Sequence, residues 1–221
     1  MVKEGVIGLS HDSFACVGHD TSVLSICLSL ELEHPHGVLY TGGDDGQVLQ
    51  WKAGDGELLR RLRAVEADTA AVLELHCVPG GVLAGHSDGS IREWSHDGTL
   101  KRIWRLAGGV ALSTMAVALR ADEAGEQVVV FAGGQDGSIA RYACPGEPEV
   151  RYEGGGGVPQ CMAVAGDALF VGSSDGHARQ WQIQTGALMR VFHGHIAGLT
   201  CLAVIGDPDG DELLFTGAAQ P

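Results

Sequence analysis

Apolar residues in this chain fall in short runs separated by turn-forming residues, and the same order of runs returns along its length. The first run of each return is strongly apolar and covers 23–28, 72–77, 115–119, 161–165 and 199–205. A second follows at 38–41, 82–84, 128–132, 169–171 and 213–216. A third alternates and ends on an aromatic, at 48–51, 91–94, 139–142 and 178–181. A fourth, more polar, covers 58–62, 100–104, 150–152 and 188–192. Short alternating runs at even spacing predict β-strands, and no long window carries the 3.6-residue period of a helix. The stretch 65–76 comes nearest to that period, but its place in the repeat makes it a loop that leads into a strand.

Asp-Gly stands between the second and third runs at Asp45-Gly46, Asp88-Gly89, Asp136-Gly137 and Asp175-Gly176. Glycine accepts positive φ and Asp bonds its own backbone, so the dipeptide closes a tight hairpin. The third run then ends on Trp51, Trp94, Tyr142 and Trp181, always at the same distance from the Asp. A repeat of roughly forty residues with this punctuation predicts an array of four-stranded antiparallel units.

The order Gly-His, apolar strand, Thr-Gly-x-x-Asp-Gly, alternating strand, Trp resembles the WD40 repeat family, and the resemblance covers nearly the whole chain. It implies an all-β fold in which the units are blades of a β-propeller. It also implies a buried tetrad, which the first unit matches with His19, Thr41, Asp45 and Trp51. Its physical purpose is to satisfy polar groups taken out of water. The later units keep Asp88 and Trp94, Asp136 and Tyr142, and Asp175 and Trp181, but put Ala84, Ala132 and Val171 where Thr41 stands. No Gly-His precedes them. The fifth unit restores His195 and Thr216, and the chain ends at Gln220–Pro221 where the next Asp-Gly would fall.

The expected organisation is one propeller over 1–221. Its blades lie near 19–63, 68–106, 111–153 and 158–193, with a composite blade of 196–219 and 5–17. Sealing that blade from both termini gives a five-membered ring without exposed sheet edges. The alternative is a piece of a longer, seven-bladed protein.

Composition narrows the function classes. The net charge of -14 opposes binding to nucleic acid or to anionic membranes, which need Lys and Arg at the phosphates. No apolar stretch reaches the ~20 residues of a membrane helix. The 6 cysteines form no CxxC pair, and Cys161 and Cys201 read as small apolar fillers in a reducing compartment, cytoplasmic or nuclear. Ser10-His11-Asp12 and Ser95-His96-Asp97 fall in expected turns, and adjacency in sequence does not make a triad. Gly154–Gly157 lacks the Lys-Ser of a phosphate loop and reads as a flexible inter-blade loop. His34 and His36, His193 and His195, and the acidic stretch 207–212 lack the further ligands of a zinc or calcium site. The expectation is therefore no catalytic residue, no metal and no cofactor. Arg60, Arg61 and Arg63 read as edge protection on an outer strand.

The loops expected on the face away from the Asp-Gly turns carry more than half of the 28 acidic residues. Prominent among them are Glu31, Glu33, Asp122, Glu123, Glu126, Asp207, Asp209, Asp211 and Glu212. Such a face suits a basic protein or peptide partner. The resemblance implies a non-enzymatic scaffold for protein–protein interaction through the propeller faces. Its alternative is a regulatory or substrate-recognition propeller within a larger multidomain protein, of ubiquitin-ligase or signalling type.

Overall fold

A computed structural model describes residues 16, 18–30, 37–64, 69–122, 125–143, 148–206 and 212–219. The apolar runs become strands because alternating side chains let each hairpin bury one set of residues on either flank. The first sheet comprises β1 (Val23–Ser29), β2 (Val38–Gly43), β3 (Val48–Lys52) and β4 (Leu58–Leu62). The second comprises β5 (Val72–Val78), β6 (Gly81–His86), β7 (Ser90–Ser95) and β8 (Leu100–Arg105). The third comprises β9 (Leu112–Asp122), β10 (Gly125–Gly134), β11 (Ile139–Ala143) and β12 (Pro148–Arg151). The fourth comprises β13 (Pro159–Ala165), β14 (Ala168–Ser173), β15 (Ala178–Gln182) and β16 (Leu188–Phe192). A fifth sheet pairs β17 (Leu199–Gly206) with β18 (Glu212–Ala218). All pairings are antiparallel meanders between consecutive strands, so the fold is an all-β series of propeller-type blades.

Two irregularities recur that the hydrophobic pattern does not announce. The first and second strands of every sheet shift register once, as between Val23 and Ser25 or Val72 and Glu74. The third and fourth strands shift at the aromatic itself, at Trp51, Trp94, Tyr142 and Trp181. A bulge there bends the strand and re-aims the ring. A recurrent bond ties each turn to the segment before its own sheet. The N–H of Asp44, Ser87, Gln135, Ser174 and Ala219 donates to the carbonyl of Ser22, Ala71, Ala111, Val158 and Gly198 respectively, at 2.8–3.2 Å.

The third sheet departs from the expected outline. The stretch 120–127, expected as a loop, is mostly strand, because β9 and β10 run on to pair Asp122 with Gly125. Pro148 and Glu149, also expected in a loop, open β12. A 3-10 turn at Ala107–Gly109 precedes β9, with Gly108 and Gly109 both at positive φ. In the expected composite blade, β17 and β18 form their own sheet, while residues 5–15 and 17 lie outside the described residues.

Sheets stack flank to flank through their first strands: β1 on β5, β5 on β9, β9 on β13 and β13 on β17. Between the first two sheets lie Val38, Tyr40, Val48 and Leu62 against Val72, Leu75, Val82 and Trp94. Between the third and fourth lie Phe131, Ile139 and Tyr152 against Leu169, Val171 and Trp181. The stack is open among the described residues. Ile26 and Leu28 on β1, and Ile205, Leu213 and Phe215 on β17 and β18, are exposed.

Candidate functional site

The Asp-Gly turns are the best-defined local geometry. Gly46, Gly89, Gly137 and Gly176 take φ between +74 and +86, where a side chain would be strained. Each Asp carboxylate accepts the backbone N–H two residues on: Gln47 (3.0 Å), Ser90 (2.9 Å), Ser138 (2.9 Å) and His177 (3.1 Å). The turn therefore closes on itself as an Asx-type loop.

What else each carboxylate holds differs from sheet to sheet. In the first, Trp51 Nε1–H donates to Thr41 Oγ1 (2.8 Å), whose hydroxyl donates to His19 Nε2 (2.8 Å). His19 Nδ1–H in turn donates to Asp45 (3.1 Å). Burial opposes the charged form of Asp45, but the N–H groups of Gln47 and Asp20 and the His19 ring outweigh it and hold its carboxyl below the usual range. In the second, Asp88 accepts the Ser90 hydroxyl (2.6 Å) and pairs with Arg105 (3.1 Å). Burial again opposes the charge on Asp88, and Ser90 and the two arginines, Arg105 and Arg92, bring the pKa down. In the third, the Ser138 hydroxyl (2.5 Å) is the main cause of a lowered Asp136 pKa. In the fourth, Arg179 (2.6 Å) dominates the lowering at Asp175.

The aromatics also differ in their partners. Tyr142 OH accepts from Ala107 N–H (3.4 Å), and Trp181 Nε1–H donates to the Glu153 carbonyl (2.9 Å). Trp94 is fully buried, with His86 tilted against it at 6.2 Å. In the fifth sheet the Thr216 hydroxyl and His195 Nε2 meet at 2.8 Å in an exposed setting.

In the Gly154–Gly157 connection residues 154–156 are exposed, and the close approaches are made by Gly156 and Gly157. A Cβ at Gly156 would lie 2.3 Å from Arg179 Nη2 and from Asp175 Oδ2, and one at Gly157 2.7 Å from Ser174 Oγ. The glycines let this loop press onto the Asp175–Arg179 pair.

The acidic segments are only partly in view. Glu31, Glu33, Glu123, Asp207, Asp209 and Asp211 lie outside the described residues, while Asp122, Glu126 and Glu212 fall in β9, β10 and β18. The neighbouring acids are paired. Asp55 bonds Lys52, Asp167 meets Arg120 at 2.8 Å, and Glu149 meets Arg141 at 3.0 Å. Asp97 takes the Ser95 hydroxyl and the Thr99 N–H, which lower its pKa to about 2.

Several inter-sheet polar ties have no signature in the sequence. Gln50 Nε2–H donates to Tyr40 OH (3.1 Å), and Tyr40 donates to His96 Nδ1 (2.9 Å). Arg60 reaches Gln50 (3.0 Å), and Arg61 reaches Gly18 O and Gln47 (3.0 Å each), so these arginines of the outer strand β4 also tie segments together. Burial pushes Tyr40 up to about 12. The half-buried Glu74 carboxylate accepts the Thr114 hydroxyl (3.1 Å) across the second and third sheets, and desolvation raises its pKa. The Cys27 and Cys77 thiols meet at 3.1 Å across the first and second sheets, and Cys201, expected as a filler, is exposed. His193 packs edge-on to His177 at 4.5 Å while its neighbour His195 turns to Thr216. Among the described residues no group of three or more His, Cys, Asp or Glu is placed to hold a metal, and no helix is long and apolar enough to cross a membrane.

Residues 12–52 match the family model described as "WD domain, G-beta repeat". Over 233 residues the chain is 29% identical to the Angio-associated migratory cell protein of Homo sapiens, covering 99% of this chain and 49% of that protein. The chain thus spans about half the length of the curated relatives it matches. Among solved structures it is similar to Saccharomyces cerevisiae Sqt1, with TM-score 0.75 and 14% identity over 91% of this chain and 58% of that one. It is also similar to the WD40 β-propeller domain of Doa1, with TM-score 0.67 and 19% identity over 86% of this chain and 60% of that one.

Proposed function

We propose that this chain, whose sheets are propeller-type blades and whose residues 12–52 match the WD-repeat model, acts as a non-catalytic scaffold, gathering protein or peptide partners on loops held at the ends of its blades. The observation that supports this most is the pinning of all four Asp-Gly turns by their own carboxylates. A loop already fixed in one conformation loses little entropy when a partner lands on it. In this reading His19, Thr41, Asp45 and Trp51 are structural, and so are Asp88, Trp94, Asp136, Tyr142, Asp175, Trp181, His195 and Thr216. The domain is one propeller-type body over 1–221 that works in the cytoplasm or nucleus. Its blades are 19–63, 68–106, 111–153 and 158–193, and 196–219 is a half-blade that residues 5–17 complete.

A second partner surface in this proposal is the acidic face away from those turns, whose charge suits a basic ligand. Affinity capture with the intact chain and with the triple variant Asp209→Lys, Asp211→Lys, Glu212→Lys tests this. A partner that is weakened by salt and lost from the variant is expected. An unchanged set of bound partners would remove the acidic face from the proposal.

A further inference from the structure

Cys27 on β1 and Cys77 on β5 bring two thiols to 3.1 Å across the boundary between the first and second sheets. The repeat itself does not require sulfur there. Opposed residues of antiparallel strands mark equivalent positions from sheet to sheet. Cys27 opposes Tyr40, and the matching first-strand positions hold His76, Ala116, Ala163 and Ala203. Cys77 opposes Val82, and its matches are Leu28, Val117, Val164 and Val204. The equivalent pairs at the next three boundaries are therefore His76 with Val117, Ala116 with Val164, and Ala163 with Val204. The first boundary alone has a sulfur on both sides of this position.

The surroundings leave room for chemistry. Both cysteines are half-buried. Cys77 also lines a cavity of about 270 Å³ with Leu28, Pro79 and Leu119, large enough to admit a hydroperoxide beside its sulfur. The two thiols sit on packed, hydrogen-bonded strands, and a disulfide between them asks the sulfurs to close by about 1 Å. The hydrogen bond with Cys77, burial and the charge of a facing thiolate push the Cys27 thiol up, so Cys27 keeps its proton while Cys77 reacts.

We propose that Cys27 and Cys77 are a redox-responsive pair, which a hydroperoxide converts to a disulfide that staples the first two sheets together. Cys77 loses its proton to solvent, and its thiolate attacks one peroxide oxygen. The O–O bond breaks, and the departing hydroxide takes a proton from solvent and leaves as water. The Cys27 sulfur then attacks the sulfur of the Cys77 sulfenic acid. The S–S bond forms, the S–O bond breaks, and the Cys27 proton leaves with that oxygen as a second water. The two sulfurs lose two electrons between them, and the peroxide gains both. Two equivalents of a small thiol such as glutathione reverse the change and leave as its disulfide. The staple joins residues 50 apart in the chain, so the oxidised form resists unfolding more than the reduced one. The inference goes beyond the scaffold reading and does not depend on it, since the sulfurs lie between sheets and not on the partner-bearing loops.

The purified, folded chain is treated with hydrogen peroxide, its free thiols are blocked, and it is digested and weighed by mass spectrometry without reductant. A linked peptide pair carrying Cys27 and Cys77 of one chain is expected, two hydrogen atoms lighter than its parts and lost on reduction. The link should form faster as pH rises, because more thiolate is present. The oxidised chain should unfold at higher urea than the reduced chain. Cys27→Ser and Cys77→Ser should each abolish that increase and leave the circular dichroism spectrum of the reduced chain unchanged. The link is read on the wild type, so it decides the matter even where a serine variant does not fold. Both thiols recovered blocked after peroxide, a Cys77 that stops at the sulfinic acid, or a link that forms only in urea overturns the proposal. An equal rise in the urea midpoint of the serine variants overturns it as well.

Discussion

The first and fourth sheets place a tryptophan at the same point of the third strand and satisfy its N–H by different means. Trp51 donates its N–H to a hydroxyl–imidazole–carboxylate chain of hydrogen bonds contained in its own repeat. Trp181 has Val171 where the hydroxyl would be, and its N–H goes to a backbone carbonyl of the connection before its sheet. The turn carboxylate, with His177 Nδ1 at 3.5 Å and no relay histidine bonded to it, takes an arginine from its own third strand. A buried donor must find an acceptor, but the identity of the acceptor is free. The repeat can therefore lose its polar side chains one sheet at a time while keeping its geometry.

Truncating either ring should produce the largest effect. Trp51→Ala and Trp181→Ala are each expected to lower unfolding free energy by about 3–5 kcal/mol in urea titrations, since both rings are fully buried. A much smaller loss at Trp181 would mean that the carbonyl-bonded ring anchors its sheet less well than the relay-bonded one. Next is Arg179→Met, which keeps the apolar stem and removes the partner of Asp175. A loss of about 1.5–3 kcal/mol is expected, and the further change Asp175→Asn should recover part of it. Thr41→Val orphans both the Trp51 N–H and His19, for about 1–3 kcal/mol, and Thr41→Ser restores most of the stability. The reciprocal Val171→Thr should gain nothing, because the Trp181 N–H is already bonded and no histidine occupies the matching position. A stabilised Val171→Thr protein would break the comparison.

The smallest effect is on pH dependence. Asp45 and Asp175 both have folded pKa values below their unfolded ones. Their contribution is thus fully present above the unfolded value, about 3.9, and is lost as pH falls through the folded values. Urea midpoints should fall on acidification below about pH 4, and Asp45→Asn or Asp175→Asn should each flatten that fall.

The strand order, the four hairpin turns and the four aromatic anchors were legible because period-two alternation and Asp-Gly are local signals. The extension of β9 and β10 through 120–127 was hidden, since a polar, charged hairpin tip has the composition of a loop. The approach of Gly156 and Gly157 to Asp175, Arg179 and Ser174 was hidden too, as composition does not say what a glycine packs against. The ties through Tyr40, His96, Gln50 and Arg60 join residues of two sheets, and no spacing within one repeat announces them.

By itself the sequence determined the all-β repeat and the position of each turn, because backbone preference and side-chain alternation act over a few neighbouring residues, while the residues of the first relay were implied only by the family resemblance. The tertiary structure alone decided which donor meets which acceptor where the repeat lacks its threonine, and which faces the stacked sheets cover. Both depend on distances between segments far apart in the chain. For the same reason Phe215 and Phe170, alike in the pattern, differ in the fold: one sheet has a neighbour on that flank and the other has none among the described residues.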